Sequence, residues 1–193
     1  PTLFDQLNLS EKDQAYLRGD HGQAAKAAME TICIMGAVEN ASELVSVERG
    51  HIDGCILAHD ANLIFAEKMV QLGARTTIPT TINAISVDRE HWQHSGLTSD
   101  FGKRARRLAD AYVTMGVKPT FTCAPYLLSD KPQFGEKIGW SESNAVIFAN
   151  TVLGAQTQKH PDYLDLFIAM TGRAPAVGVY STAGRQASLR IAV

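Results

Sequence analysis

The chain has 193 residues, of which 45% are hydrophobic and 20% charged, with a formal net charge of −2 at pH 7. This is a typical globular composition, and the length favours one domain. The charge balance argues against nucleic-acid binding, which needs an excess of basic residues, and no apolar run is long enough for a transmembrane helix.

Helical periodicity alternates with β-branched runs along the chain. Ser10 and Asp13 form a weak capping box at the first helix, and Gly19 ends it. The predicted helices are 9–19, 21–41, 61–74, 99–116, 141–153 and 161–171. The predicted strands are 43–55, 75–86, 117–126 and two around a turn at 183–184. This alternation predicts an α/β domain in which helices are layered on a mostly parallel sheet.

The only basic cluster is residues 103–107, KRARR, within the predicted helix 99–116. Charge runs on amphipathic helices usually face solvent. We therefore expect a solvated helix face here and not a ligand site.

In open α/β sheets, ligands bind beyond the carboxyl ends of the strands, where three polar segments fall in this sequence. The first is GHIDGC, residues 50–55, in which glycines bracket His51 and Asp53. Glycine lets the backbone approach a ligand closely, and His and Asp supply proton transfer or ligation. A polar turn with no further role explains the segment equally well.

The second segment is TTIPTTIN, residues 76–83. Thr80, Thr81 and Asn83 offer uncharged donors and acceptors of the kind that hold a carboxylate, hydroxyl or phosphate. The alternative is a β-branched strand with an exposed edge.

The third segment is SESN, which opens the predicted helix 141–153. Ser141 is a good helix cap, and free backbone N–H groups beside Glu142, Ser143 and Asn144 would make an anion site. A routine cap is the alternative. Asn150, further along the same apolar helix, is expected to have a specific buried partner.

The three cysteines have no close pair and no spacing typical of a local zinc or ferredoxin motif. Their odd number, and the lack of a visible signal peptide, fit a reducing cytoplasm. We expect Cys33 in the core and leave Cys55 open. Cys123, in TFTCAPY, is more typical of a small buried hydrophobic residue than of a ligand when it is judged from its local sequence alone.

Arg173, in TGRAP, has two interpretations: a clamp for a carboxylate, or a cap for the carbonyls of the preceding helix. No nucleophile elbow, P-loop, dinucleotide glycine fingerprint or HExxH motif is present.

Six segments, taken together, resemble the aconitase X family, a divergent branch of the aconitase superfamily. They are LSEKDQAYLRGDHGQAAKAAMETICIMG, ERGHIDGC, IPTTINAISVD, KPTFTCAPY, FGEKIGWSESNAVIFANTVLGAQT and TGRAPAVGVY. They follow the family's order and cover nearly the whole chain. The segment GEKIGWSESNAVIFANTVLGA is the most specific of them.

The resemblance implies an aconitase-like fold and an iron–sulfur hydro-lyase that dehydrates a small hydroxy acid. Two activities are known in the family, cis-3-hydroxy-L-proline dehydratase and mevalonate 5-phosphate dehydratase. GHIDGC and TCAPY are more similar to the first type, so cis-3-hydroxy-L-proline is the expected substrate.

The resemblance also implies roles for individual residues. Cys123 matches one of the three cysteines that hold the family's cluster, and the other two belong to the C-terminal half of the large subunit. The catalytic base stays unassigned. The residues expected to bind substrate are His51, Asp53, Thr80, Thr81, Asn83, Ser141, Glu142, Ser143 and Asn144.

On this resemblance, residues 1–193 form a single α/β domain that corresponds to the N-terminal part of a longer large subunit. The expected partners are the C-terminal half of that subunit, a small swivelling domain or subunit, and the substrate; no nucleic acid or membrane is expected. Two other hypotheses stay open. One is a non-catalytic domain that associates with itself or a complementing chain, and the other is an iron-free α/β enzyme that uses His51 and Asp53.

Overall fold

The computed structural model describes residues 6–192. Its strands are β1 (Leu44–Ser46), β2 (Arg49–Ile52), β3 (Thr80–Ile82), β4 (Ile138–Trp140) and β5 (Arg173–Pro175). One sheet is parallel with the order β3–β2–β4, and a smaller sheet pairs β1 antiparallel with β5. The prediction of a layered α/β fold with a mostly parallel sheet is confirmed.

The helices surround these strands, and six of those described are α-helical. They are α1 (Glu11–Arg18), α2 (Gln23–Val38), α3 (Asp60–Gln71), α4 (Ser99–Thr114), α5 (Ser143–Phe148) and α6 (Leu164–Thr171). A π-helical segment, Ala149–Leu153, continues α5. None of the helices within residues 6–192 combines the length and apolar character needed to cross a bilayer.

Helix α1 begins as its sequence predicts. The Ser10 hydroxyl accepts from the Asp13 N–H, and the Asp13 carboxylate accepts from the Ser10 N–H at 3.0 Å. This reciprocal capping box satisfies two donors that a helix start otherwise leaves unpaired. Gly19 ends the helix in the left-handed conformation, with φ +87°.

Helix α6 forms the layer beneath the parallel sheet, and every one of its residues is buried. Glycines in two strands make this close packing possible. A Cβ at Gly139 in β4 would lie 2.6 Å from Cγ2 of Ile168, and one at Gly50 in β2 would lie 3.3 Å from Cβ of Ala169. The opposite face of the sheet is therefore free to carry larger polar side chains.

The basic cluster lies on the exposed side of α4, as expected. Arg104 pairs with Asp60 at the start of α3, and Arg107 donates to Glu67 at 2.6 Å. These pairs link two surface helices and leave the cluster as a solvated face.

Arg173 clamps a carboxylate, as one of its two interpretations predicts, but the carboxylate is that of Asp13 in the same chain. Its guanidinium donates to both carboxylate oxygens of Asp13, at 2.7 and 3.0 Å, and to the Ser46 hydroxyl and the Leu44 carbonyl. Asp13 is fully buried. The arginine is therefore a structural partner that joins α1 to the small sheet.

The segment 117–126 is not a strand, so this prediction was wrong. Its only strand-like contact among the described residues is a bridge from Lys118 to Thr81. After Lys118, the next donor that a ladder with β3 needs is the Thr120 N–H, which instead bonds back to the Lys118 carbonyl at 2.8 Å. The Thr120 hydroxyl replaces it by accepting from the Ile82 N–H and donating to the Ile82 carbonyl, both at 3.0 Å.

Several predicted boundaries also differ. The predicted strand 43–55 is two strands, β1 and β2, and the short strand β4 was missed because only three residues lie between a polar loop and a helix. The two predicted C-terminal strands are replaced by β5 and by 3₁₀ turns at Gly178–Tyr180 and Ala183–Arg185. Val193 lies outside the described residues.

Candidate functional site

The register of the parallel sheet places polar side chains on one face. His51 in β2 is paired with Thr81 in β3. Side chains alternate between faces with a period of two, so Asp53 and Asn83 continue the same face beyond the strand ends. On the other side β4 pairs Trp140 with His51, and Glu142 follows two residues later. The side chains from three strand ends therefore converge.

Two hydrogen bonds hold this face together. His51 Nδ1 lies 2.8 Å from Thr81 Oγ1, and Asn83 Nδ2 donates to Asp53 Oδ1 at 2.6 Å. Both pairs join β2 to β3. They fix the orientation of the imidazole ring and of the carboxylate before any ligand binds.

The other ring nitrogen of His51 faces Glu142. His51 Nε2 and Glu142 Oε2 are 3.5 Å apart, and both atoms are buried without a hydrogen-bond partner among the described residues. The Trp140 indole N–H, also unpartnered, belongs to a ring 5.9 Å from that of His51. Unpartnered buried polar atoms are rare in folded proteins and indicate a place for water or ligand.

Cys123 lies at the exposed rim of this cluster. Asn144 Nδ2 donates to the Cys123 carbonyl at 2.8 Å and so ties the start of α5 to the TCAPY segment. Partial burial raises the pKa of the Cys123 thiol; the Ala84 N–H opposes this shift, and the Glu142 carboxylate adds to it. The thiol therefore lies beside Glu142, at the surface next to the buried pair of His51 and Glu142.

The carboxylates of the cluster share a negative local field. Burial raises the pKa of Asp53, the hydrogen bond from Asn83 opposes that shift, and the charge of Glu142 adds to it. Lys159 partly offsets these charges at Asp53. The pocket consequently favours a ligand that brings a positive charge or a proton.

The structure does not bring every predicted residue to this cluster. Thr80 points to the opposite face, is buried, and donates to the Ile78 carbonyl at 2.9 Å. Ser143 is exposed at the start of α5. Ser141 is fully buried and donates to Asp165 at 2.7 Å, and the residue at the N-cap of α5 is Glu142. The prediction that Ser141 caps this helix was therefore wrong.

Reasoning from the sequence missed two residues, Trp140 at this site and Asp165 directly beneath it. Asp165 reads as an ordinary acidic residue in the first turn of a helix. Trp140 belongs to a strand too short to predict. A signal was present for Asp165 nonetheless: it is the single charged residue in the apolar run LDLFIAMT, and a charge in a buried helix needs partners.

An iron–sulfur cluster needs several thiolate ligands. In residues 6–192 no group of three His, Cys, Asp or Glu side chains is arranged to hold a metal ion. Cys123 alone is an exposed thiol with room for an incoming group. Cys33 and Cys55 are buried, and burial raises the pKa of each to about 12, so both behave as core thiols. The described residues fit one ligand of a shared cluster and not a complete site.

The structure is that of an α/β protein with a polar cluster at the carboxyl ends of its parallel strands. The model of the aconitase X first domain matches residues 6–183. The chain therefore belongs to the aconitase X family, as its sequence segments indicated.

Relatives with assigned names support this membership. The chain is 50% identical to a cis-3-hydroxy-L-proline dehydratase from Hypocrea jecorina over 97% of its own length and 32% of the relative. It is also 50% identical to one from Pseudomonas aeruginosa, over 94% of the chain and 31% of the relative. It is 31% identical to a phosphomevalonate dehydratase large subunit from Methanothermobacter thermautotrophicus, over 96% of the chain and 47% of the relative.

A solved structure matches the fold directly. The crystal structure of Thermococcus kodakaraensis aconitase X in its holo-form superposes with a TM-score of 0.85 at 30% sequence identity. The match covers 94% of this chain and 45% of that one. The chain thus spans between a third and a half of the length of these relatives.

Proposed function

We propose that this chain provides one part of the active site of a dehydratase that removes water from a small hydroxy acid. The observation that carries the proposal is the buried pair of unpartnered atoms, His51 Nε2 and Glu142 Oε2, beside the exposed thiol of Cys123. Dehydration requires a proton to leave carbon and another to reach the departing hydroxyl. Two oriented groups that can hold or move a proton suit that chemistry.

We propose cis-3-hydroxy-L-proline as the substrate. Its ring nitrogen is a secondary ammonium at neutral pH, and the carboxylates of Asp53 and Glu142 suit a cation. Phosphomevalonate, the alternative substrate, carries phosphate and carboxylate charges and no cation, and this pocket would repel it. The identities of 50% to the first class of relative and 31% to the second point the same way.

Within this proposal the remaining residues bind and orient the substrate. Thr81 and Asn83 hold His51 and Asp53 in place, as their hydrogen bonds support. Asn144, at the start of α5, lies beside Cys123 at the edge of the site, and Ser143 precedes it on the exposed surface. Thr80 and Ser141 are buried below the cluster and would act indirectly, by holding the strand ends in place.

We further propose that Cys123 contributes one ligand to an iron–sulfur cluster. When bound, such a cluster supplies a Lewis acid for the substrate's carboxylate or hydroxyl. The exposure of the thiol, with burial of the other two cysteines, supports this choice. The further ligands would come from the aconitase X domains that the relatives carry beyond the matched region.

These further domains are also the proposed partner. Leu127, Ile147 and Val152 are each more than half exposed, and Leu127 is the last residue of the 3₁₀ turn Pro125–Leu127 that follows Cys123. Apolar residues of this kind mark a surface that another domain covers. The residue range 1–193 as a single domain and a cytoplasmic location stay predictions. A non-catalytic domain that associates with itself is the alternative.

The test is a comparison of two substrates with the chain assembled with its further aconitase X domains. We expect this enzyme to dehydrate cis-3-hydroxy-L-proline with a kcat/KM at least about 100-fold above that for phosphomevalonate. Cys123→Ser should remove bound iron and activity together, whereas Cys33→Ser should retain iron. An enzyme that keeps its iron and activity without the Cys123 thiol would rule out the ligand assignment.

A further inference from the structure

A buried carboxylate lies beneath the candidate site without belonging to it. Asp165, in the first turn of α6, is fully buried. Its Oδ2 accepts from the Asp53 N–H at 2.8 Å and from the Ser141 hydroxyl at 2.7 Å. Its Oδ1 accepts from the Leu166 N–H at 2.7 Å. All three bonds use the carboxylate as an acceptor.

The first two bonds join the loops that follow neighbouring strands. Asp53 follows β2, and Ser141 follows β4. Asp53 belongs to the polar cluster, where it accepts a hydrogen bond from Asn83. Ser141 directly precedes Glu142, which belongs to the same cluster. A single oxygen of Asp165 thus joins the two loops just beyond the point where the pairing of His51 with Trp140 ends.

Other contacts hold these loops only one at a time. Tyr112 donates to the Gly54 carbonyl at 3.2 Å and so restrains the loop after β2. Asn144 restrains the start of α5 through the Cys123 carbonyl. Neither joins the loop after β2 to the loop after β4, which Asp165 does.

Burial of the Asp165 carboxylate costs the fold desolvation free energy. Burial raises the pKa of Asp165 to about 6, although its hydrogen bonds from Asp53, Ser141 and Leu166 oppose that shift. A buried charge is tolerated only where its bonds are needed, since an apolar residue of similar size would avoid the desolvation cost.

We propose that Asp165 is a positioning residue that fixes Glu142 relative to His51 and Asp53 and thereby sets the rate of the dehydration. The proposal rests on the proposed function. A displacement near 1 Å at a reacting group typically lowers the rate by about 100-fold. The effect should fall on kcat more than on KM, because Asp165 lies below the pocket and does not contact its interior.

The test uses the enzyme assembled with its further domains and cis-3-hydroxy-L-proline as substrate. We expect Asp165→Asn to lower kcat by about 10- to 100-fold with a change in KM of less than about 3-fold. Ser141→Ala removes one of the two bridging bonds and should lower kcat less. The double variant should be no slower than Asp165→Asn alone, because both changes break the same bridge.

Thr171→Val is the matched control. Thr171 is buried at the other end of α6, where its hydroxyl donates to the Phe167 carbonyl at 2.9 Å. This variant should lose thermal stability and keep its kcat within about 2-fold. Equal losses of kcat in the Thr171 and Asp165 variants would reduce Asp165 to a stabilising residue and overturn the proposal.

A second readout does not depend on activity. In the isolated chain, the Asp53 amide proton should resonate far downfield because it donates to a carboxylate, and Asp165→Asn should move it upfield while Thr171→Val leaves it in place. If the wild-type enzyme dehydrates neither substrate, the proposed function fails while this measurement still tests the bridge. If Asp165→Asn does not fold, Ser141→Ala carries the kinetic test. An unchanged kcat in Ser141→Ala would then count against the bridge, and where both single variants fold, additive losses in the double variant would do so too.

Discussion

Glu142 Oε2 and His51 Nε2 face each other at 3.5 Å, across a gap that no described side chain bridges. The two residues come from neighbouring strand ends. The imidazole is fixed from behind by Thr81. The gap is too narrow to hold an oxygen atom between the two atoms, so a substrate hydroxyl or a water that bonds to both must approach from beside them.

Replacing Glu142 tests whether this gap is where the chemistry takes place. Glu142→Gln keeps the size of the side chain and removes its ability to take up a proton. We expect kcat for cis-3-hydroxy-L-proline to fall by about 100-fold or more in the assembled enzyme. The melting temperature should stay close to that of the wild type, because the lost charge has no partner to lose. Glu48→Gln, on an exposed residue, is the control and should leave both values unchanged.

The cysteines should differ sharply in reactivity. Native protein treated with iodoacetamide at pH 8 should acquire one adduct, at Cys123, because this thiol is exposed and Cys33 and Cys55 are buried. The rate should go on rising above pH 8, since the pKa of the Cys123 thiol is raised. Mass spectrometry of the digested protein locates the adduct. Equally fast labelling of Cys55 would mean that the loop after β2, which carries this residue, opens in solution.

The buried pair of Arg173 and Asp13 should contribute strongly to stability. Arg173→Met leaves Asp13 buried without its cation, and we expect a loss of about 3–5 kcal/mol in the free energy of unfolding. Arg18→Met breaks a surface pair with Glu11 and should change little. Urea denaturation of the two variants measures both effects. A similar small loss for each would show that Asp13 finds another partner.

Acid should destabilise the fold through His160. Its Nε2 lies 2.8 Å from the Tyr180 hydroxyl, which donates to the Ile138 carbonyl, so the neutral ring is the donor. Burial lowers the pKa of His160 to about 4 in the folded chain, against 6.5 in the unfolded one. Between these values the unfolded chain binds the proton and the folded chain does not. Stability is therefore full above pH 6.5 and falls as the pH drops towards 4, by about 3 kcal/mol.

His160→Gln isolates this contribution, because the amide can still donate to Tyr180 and has no proton to gain. The difference in unfolding free energy between wild type and variant should shrink or reverse as the pH falls from 6.5 to 4. The comparison is needed since Asp165, whose pKa is raised to about 6, changes stability in the opposite sense over part of the same range. A difference that stays constant with pH would show that His160 is protonated in the folded chain.

Much of this architecture follows from local sequence signals. The capping box at Ser10 and Asp13, the helical spacing of α2 and α4, and the polar residues two apart in GHID and TTIN each have a short-range cause. The period of two along a strand is enough to predict that residues such as His51 and Asp53 share a face. The family resemblance added Cys123, which its own surroundings in the sequence did not single out.

The remainder depends on contacts between distant residues. The side chain of Thr120 takes over a backbone position in the sheet, so a segment rich in β-branched residues forms no strand. Ser141 does not cap the helix that it was expected to cap, and its hydroxyl instead donates to a buried carboxylate 24 residues later. Neither outcome is encoded in a local pattern, since Thr120 meets Ile82 only in the folded sheet and Ser141 meets Asp165 only once α6 has packed under it.

The candidate site is absent from the unfolded chain, because the three loops that form it meet only when the parallel sheet forms. Any small molecule that occupies it must bind the folded state and shift the folding equilibrium. At a concentration 100 times its Kd such a molecule adds about 2.7 kcal/mol to the free energy of unfolding. A rise in melting temperature therefore reports binding even where turnover is absent. The affinities of a set of cationic hydroxy acids for this chain can be ranked from the melting-temperature shift that each causes.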